Sequence, residues 1–263
     1  MKYQNHGEPC QPMSANKVNS LTPHRTKPFG RLTLWPFRCL LCGCSADAVR
    51  VTRDLCLQCE QNLPLAGRVC ECCGLPVPEN SGPRCGSCLA SPMFDACLAP
   101  FEYAYPVDCL IKAFKFQKNF AAGNVLAQLF VQHYLVGSGL TASRPELLIP
   151  VPLHRRRRLL RGFNQAEELA GMIHRHCRLS LGVWEALRVV YNEPQAVLDK
   201  KHREQNLQHV FCIPGKLQSV CKGRHVAVMD DVITTGSTLR ALTSHLYAAG
   251  AARVSVWAIA RTF

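Results

Sequence analysis

The 263-residue chain predicts an α/β domain, a parallel sheet flanked by helices, preceded by a small cysteine-rich module. Two patterns carry that expectation. Four C-x-x-C pairs stand in a row between Cys39 and Cys88. Between His225 and Ala260, an apolar run, a hydroxyl-rich turn, an amphipathic stretch and a second apolar run succeed one another. The second order reads strand, loop, helix, strand, and the right-handed crossover of such a unit makes its strands parallel. At 48% apolar, the chain has enough to bury a sizeable core. No apolar run approaches the roughly 18 residues needed to span a bilayer, so no membrane insertion is expected. The opening residues MKYQNHGEPCQPMSANKVNS lack the apolar centre of a secretory signal, which points to a cytoplasmic protein.

Composition divides the chain in three. Residues 1–36 are polar, with several Pro and Ser and no apolar period, and are expected to form a flexible N-terminal extension, with Met13 an alternative beginning. A cysteine-rich module is expected over 37–98 and a larger domain over 99–263. The formal charge of +13 is uneven. Residues 1–98 carry 10 Lys and Arg against 7 Asp and Glu, whereas residues 99–263 carry 21 against 11. The basic balance of the larger part favours polyanions such as nucleic acid, nucleotides or phosphorylated sugars, although solubility charge produces the same excess.

In the module the pairs are Cys39 and Cys42, Cys56 and Cys59, Cys70 and Cys73, Cys85 and Cys88. The first two repeat in the last two at an offset of about 30, as a duplicated unit would. Two thiolates two residues apart close on one metal in a tight turn, and a second pair completes tetrahedral Zn²⁺ at ~2.3 Å per sulfur. Gly43 and Gly74 directly follow the first pair of each half and suit a left-handed turn that aims backbone N–H groups at the sulfurs. Disulfides are the competing reading, since secreted modules are stapled by dense cysteines. Four such pairs in series without a secretion signal favour one or two structural Zn²⁺. The pairing is open between sequential and interleaved, and Cys44 and Cys72 adjoin the ligands closely enough to substitute for one. The remaining cysteines have no paired spacing and read as small apolar fillers.

The larger domain follows in order. Helices are expected from Val107 to Phe116, with Leu110, Ile111 and Phe114 at helical spacing, and from about Ala121 to Leu135. LLIPVPL, 147–153, reads as a buried strand. Asn164 caps the next helix, with Glu167 three residues on as its capping-box partner and Leu169, Met172, Ile173 and His176 as the apolar stripe. HVAVM, 225–229, is a strand. Gly236 begins a helix with Leu239, Leu242, Leu246 and Ala249 on one face, Gly250 ends it, and RVSVWAIA, 253–260, is the last strand. The loop between 229 and 236 therefore lies at the carboxyl end of the sheet, where open α/β folds bind ligands.

That loop reads DDVITTGST. Thr234, Thr235, Ser237 and Thr238 offer hydroxyls at a helix N-terminus, whose partial positive charge favours a phosphate, and Gly236 allows close backbone approach. Asp230 and Asp231 are acceptors for the vicinal hydroxyls of a ribose, and their charge suits a nearby Mg²⁺. Strand-end and helix capping is the plainer alternative, but it needs one such residue and six cluster here. A second constellation is HRRRRLLRGFNQ. Arg155, Arg156, Arg157, Arg158 and Arg161 follow a strand end, and guanidinium pairs bidentately with phosphate, from a pyrophosphate or from a nucleic-acid backbone. A solvated charge run is the alternative. Phe114, Phe116 and Phe163 offer stacking faces beside Lys112, Lys115 and Lys118, with helical spacing favouring the core for Phe114.

VAVMDDVITTGST is similar to the phosphoribosyl pyrophosphate (PRPP) motif of the type I phosphoribosyltransferases. More of the chain resembles the ComF/GntX family of competence and DNA-utilisation proteins. The shared features are the paired C-x-x-C module, PVPLHRRRRLLRGFNQA, the set Gln195, Leu198, Arg203, Asn206 and Phe211, and the closing WAIARTF. The resemblance implies a double zinc ribbon before a phosphoribosyltransferase-like domain. It also implies that Asp230, Asp231 and Thr234 to Thr238 hold PRPP with Mg²⁺, and that the protein works in DNA uptake or in the use of DNA as nutrient. Single-stranded DNA and a protein of the DNA-uptake machinery are the expected partners. The competing reading is an active phosphoribosyltransferase that transfers phosphoribose from PRPP to a nitrogenous base, for which no acceptor-base hood and no general acid or base stand out.

Overall fold

Burial along the last two long strands decides the architecture. The computed structural model describes residues 38–45, 53–136, 144–153, 155–177, 179–181, 188–189, 211–212 and 215–263. The N-terminal extension, and Gln195, Leu198, Arg203 and Asn206, lie outside them. The chain forms two compact units, residues 1–62 and 63–263. The expected module at 37–98 spans both.

In the first unit the described elements are the turn after Cys39 and helix α1, Leu57–Gln61. The second opens with helix α2, Gly86–Ala90, then strands β1, Ala96–Leu98, and β2, Phe101–Glu102. Helices α3, Val107–Gln117, and α4, Phe120–Val136, follow, then β3, Leu147–Pro150, α5, Arg155–Arg161, and α6, Gln165–Cys177. The short strands β4, Ser180–Leu181, β5, Arg188–Val189, and β6, Phe211–Cys212, lead to α7, Gly215–Cys221. The chain ends with β7, His225–Ile233, α8, Ser237–Ala248, and β8, Arg253–Arg261.

The main sheet runs β1, β8, β7, β3, β4, with β2 also on β8, and each of these pairings is parallel. This is the parallel sheet flanked by helices that the sequence predicts. On one face Val226 and Val228 of β7 and Val254, Val256 and Ala258 of β8 pack with Leu239, Leu242 and Leu246 of α8. On the other, Trp257 stacks against Phe130 and Tyr134 of α4 at 5.3 and 4.8 Å. Side chains one residue apart on a strand face opposite ways, which is why one strand serves both layers.

Three boundaries differ from the sequence reading. β7 continues four residues past Met229 through both acids, because Val232 and Ile233 keep pairing with Ala260 and Arg261 of β8. β3 stops at Pro150, since Pro150 and Pro152 donate no N–H to a ladder. On α6 the buried stripe is Leu169, Ala170, Ile173 and Cys177. His176 is exposed and its Nδ1 sits 2.9 Å from the Met172 carbonyl, because the stripe follows the i, i+4 spacing through 169, 173 and 177. Asn164 does cap α6: its Oδ1 accepts the Ala166 N–H at 3.1 Å, while its Nδ2 donates to the Val151 carbonyl at 3.0 Å.

Candidate functional site: an acid pair, a hydroxyl loop and two thiol clusters

The eight predicted cysteines gather as two sets, Cys39, Cys42, Cys56, Cys59 and Cys70, Cys73, Cys85, Cys88, with the sulfurs of each set within 4.8 Å of one another. The pairing is therefore sequential. Cys42 and Cys56 sulfurs lie 3.7 Å apart, as do those of Cys73 and Cys85. A tetrahedron with ~2.3 Å metal–sulfur bonds has edges of about 3.8 Å, so both sets fit Zn²⁺. Gly43 and Gly74 adopt φ of 69° and 70°, the left-handed turn expected of them. The consequence is visible at Cys70, whose sulfur accepts the Cys85 N–H at 3.3 Å. Burial pushes the Cys70 thiol up, but N–H bonds from Cys85, Cys73 and Cys72 outweigh it and bring it down to about 6. Such a thiol is ready to bind metal as thiolate near neutral pH. Cys44 and Cys72 stand outside both sets. Of the cysteines read as fillers, Cys177 and Cys221 are buried whereas Cys109 is exposed.

Asp230 and Asp231 sit within β7, near its carboxyl end. Asp231 is buried, and its Oδ2 pairs with Lys115 Nζ of α3 at 2.7 Å. The Asp230 Oδ1 accepts the Asp231 N–H at 2.8 Å. Burial, then the charge of Asp231, raises the Asp230 carboxyl well above its ordinary value, with the Asp231 N–H bond and Lys115 pulling the other way. A cation beside the pair would favour the ionised form of Asp230.

The loop itself exposes Thr234, Thr235, Ser237 and Thr238, while Gly236 is buried. Gly236 is the N-cap of α8 at φ 74°, one residue before the helix. Thr235 Oγ1 lies 3.1 Å from Ser237 Oγ and accepts the Ser237 N–H at 3.4 Å. The hydroxyls thus cluster at a 12-residue helix N-terminus, a setting suited to an anion.

The arginine segment emerges beside this loop. β3 and β7 are neighbours with Pro150 opposite Met229, so the segment that leads to α5 leaves β3 next to the acid pair in β7. Arg157 and Arg158 are exposed and Arg161 is half-buried. Arg158 pairs with Glu167 at 3.3 Å. Arg161 donates to Gln165 Oε1 at 3.1 Å and lies 5.5 Å above the Phe116 ring. Arg155 and Arg156 belong to α5 by backbone, and their side chains lie outside the described residues. Phe114 is core, as its spacing predicts, while Phe116 is 66% exposed.

Lys115 is the residue the sequence reading placed elsewhere, as a companion of the stacking phenylalanines. The signal was present: it stands four residues after Ile111, on the side of α3 that buries Val107, Leu110, Ile111 and Phe114. A lysine at a core-side position asks for a buried carboxylate.

Residues 32–89 match the double zinc ribbon domain family. Competence protein F of Haemophilus influenzae is 32% identical over 239 residues, covering 88% of this chain and 99% of that one. The DNA utilization protein YhgH of Escherichia coli O6:H1 is 33% identical over 229 residues, covering 84% and 90%. The chain belongs to the ComF/GntX family. Within it, competence protein ComFC of Bacillus subtilis is more distant, 26% identical over 240 residues with 85% and 95% coverage. Among solved structures, the allosteric regulatory enzyme of purine biosynthesis is 19% identical over 52% of this chain and 24% of that chain, at a TM-score of 0.33, too remote to draw on. For this ComF/GntX member, the double zinc ribbon agrees with the paired thiol clusters and marks the zinc as structural. Among the described residues no helix is long and apolar enough to cross a membrane.

Proposed function

We propose that this ComF/GntX-family protein binds PRPP, or a related phosphoribosyl ligand, with Mg²⁺ at the junction of β7 and α8, and handles single-stranded DNA in the cytoplasm during DNA uptake or the use of DNA as nutrient. The observation that carries the ligand reading is the continuity of Asp230 and Asp231 at a parallel strand's carboxyl end with the hydroxyl cluster that starts α8. Thr234, Thr235, Ser237 and Thr238, with the backbone at Gly236, receive the 5-phosphate; Asp230 and Asp231 receive the ribose diol. The carboxylates are the hard oxygen donors Mg²⁺ takes, and Mg²⁺ usually arrives bound to substrate phosphates. The relatives' names, competence protein F and DNA utilization protein, support the DNA role. The exposed arginines of α5 supply contacts for a pyrophosphate or a strand backbone, and a protein of the uptake machinery is the expected partner.

The competing reading is a phosphoribosyltransferase that displaces pyrophosphate from PRPP by a nitrogenous base. Incubation with PRPP, Mg²⁺ and candidate bases, with pyrophosphate release monitored, separates the two. Binding without turnover supports the proposal, and turnover with any base replaces it with the enzyme. The DNA arm is tested by titrating single-stranded oligonucleotide at several salt concentrations. Affinity should fall with salt at a slope of roughly 0.7 per phosphate contact, and replacing Arg155 to Arg158 by Ala should flatten it. An affinity indifferent to salt, or to those four substitutions, counts against strand handling by α5.

A further inference from the structure

The two thiol clusters have the same ligand set but different surroundings. The first belongs to the unit of residues 1–62, the second to the unit that contains the sheet. Met93 is the residue that ties the second cluster to the loop. Its side chain packs against the buried group of Cys70, Cys72, Cys73, Val77 and Cys88, and also against the sheet core that includes Ile233 and Leu239. A Cβ built on Gly236 would stand 3.1 Å from Met93 Sδ and 3.6 Å from Phe94 Cζ, so the loop backbone rests directly on these two side chains.

A second route runs through Arg261. This residue is 2% exposed, and among the described residues its Nε and Nη1 have no hydrogen-bond partner. It is paired across the ladder with Ile233, the residue before Thr234. Its Cδ and the Cys97 sulfur would lie 3.3 and 2.9 Å from a Cβ on Gly74, the residue after Cys73. The Cys97 N–H donates to the Glu71 carbonyl at 2.7 Å, fastening β1 to the same knuckle. Unpartnered N–H groups on a buried guanidinium are costly, and a zinc bound by four thiolates carries a net charge of about minus two that offsets the positive charge.

We propose that the second zinc site is the support of the acid–hydroxyl loop, with Met93, Phe94 and Arg261 as positioning residues, whereas the first zinc site leaves the loop unaffected. The two halves of the double ribbon thus have different tasks. Metal in the second half fixes the loop's backbone and so sets its ligand affinity, a consequence that rests on the phosphoribosyl reading of that loop.

The test uses the full chain and four forms: wild type, Cys42→Ser with Cys59→Ser, Cys73→Ser with Cys88→Ser, and Met93→Ala. Zinc content, hydrogen exchange of the peptide covering Ile233 to Leu239, and affinity for magnesium PRPP are measured on each. The first double variant should lose one zinc and leave exchange and affinity within twofold of wild type. The second should lose the other zinc, with loop exchange faster and affinity weaker by at least tenfold. Met93→Ala, which keeps all eight thiols and both zinc ions, should speed loop exchange by a smaller but clear factor and decides the matter if the second double variant does not fold. Unchanged exchange in Met93→Ala, or equal disturbance from the first double variant, overturns the proposal. Failure of wild type to bind PRPP instead removes the phosphoribosyl reading, while the exchange data still judge the coupling.

Discussion

Lys115 and Asp231, 2.7 Å apart and both largely covered, form an ion pair that neither member can lose cheaply. Lys115→Met should destabilise the protein by about 3 kcal/mol, because it leaves Asp231 buried without its cation; a chemical denaturation midpoint unchanged from wild type would deny the pair that role. Asp230 behaves oppositely. Its carboxyl titrates above the ordinary value in the folded chain, first through burial and then through Asp231. Between the unfolded value and this raised one the folded state holds more protons than the unfolded state, so stability falls as pH rises through that window. Asp230→Asn removes the penalty and should raise the melting temperature of the ligand-free protein at neutral pH. The gain should vanish on acidification toward the ordinary carboxyl value. A variant that melts at or below wild type at neutral pH contradicts this. The residue types and their cluster were legible in the sequence. Lys115 was not assigned to the pair, because a contact between α3 and β7 spans more than a hundred residues and leaves no local spacing to read.

At the scale of elements, the junction of α3 and α4 shows how closely the site's surroundings are packed. Lys118 ends α3 in the left-handed conformation at φ 55°, and the Asn119 side chain accepts the Ala122 N–H at 3.1 Å to start α4. A methyl on Gly123 would stand 2.7 Å from the Phe114 ring. Gly123→Ala is therefore predicted to cost about 1–3 kcal/mol through overpacking, read as a lowered denaturation midpoint. An unchanged midpoint would mean that Phe114 turns aside freely. Phe114 touches Phe120 and Phe163 at 6.0 and 5.3 Å, so this packing also steadies the helix entry after the arginines. The strand, loop, helix, strand unit at the C-terminus was legible because two continuous apolar runs flank a stretch whose apolar residues recur at helical spacing. The extension of β7 through the acids was not. Aspartates are depleted from strands, and here tertiary pairing with β8 overrides that preference. β1 and β2 escaped notice for a different reason: three and two residues show no period, and both are set by register on β8.

Over the whole molecule, the cysteine spacing specified two thiol sets, but spacing alone left sequential and interleaved pairing equal. The sulfur positions choose the sequential one. Metal analysis of anaerobically purified full-length protein should give two zinc ions per chain, and fewer than one would remove the zinc reading altogether. The parallel sheet brings the arginine helix after β3 and the acid pair in β7 to one edge, a proximity set by the β3–β7 pairing across more than seventy residues. What that edge holds decides the proposed function. Calorimetric titration of magnesium PRPP into wild type and Asp231→Ala tests it most directly. Saturable binding by wild type, weakened by roughly 10- to 100-fold in Asp231→Ala as expected for loss of a charge-assisted contact, is the predicted result. Equal affinity in the two proteins, or no heat of binding in wild type, would contradict it.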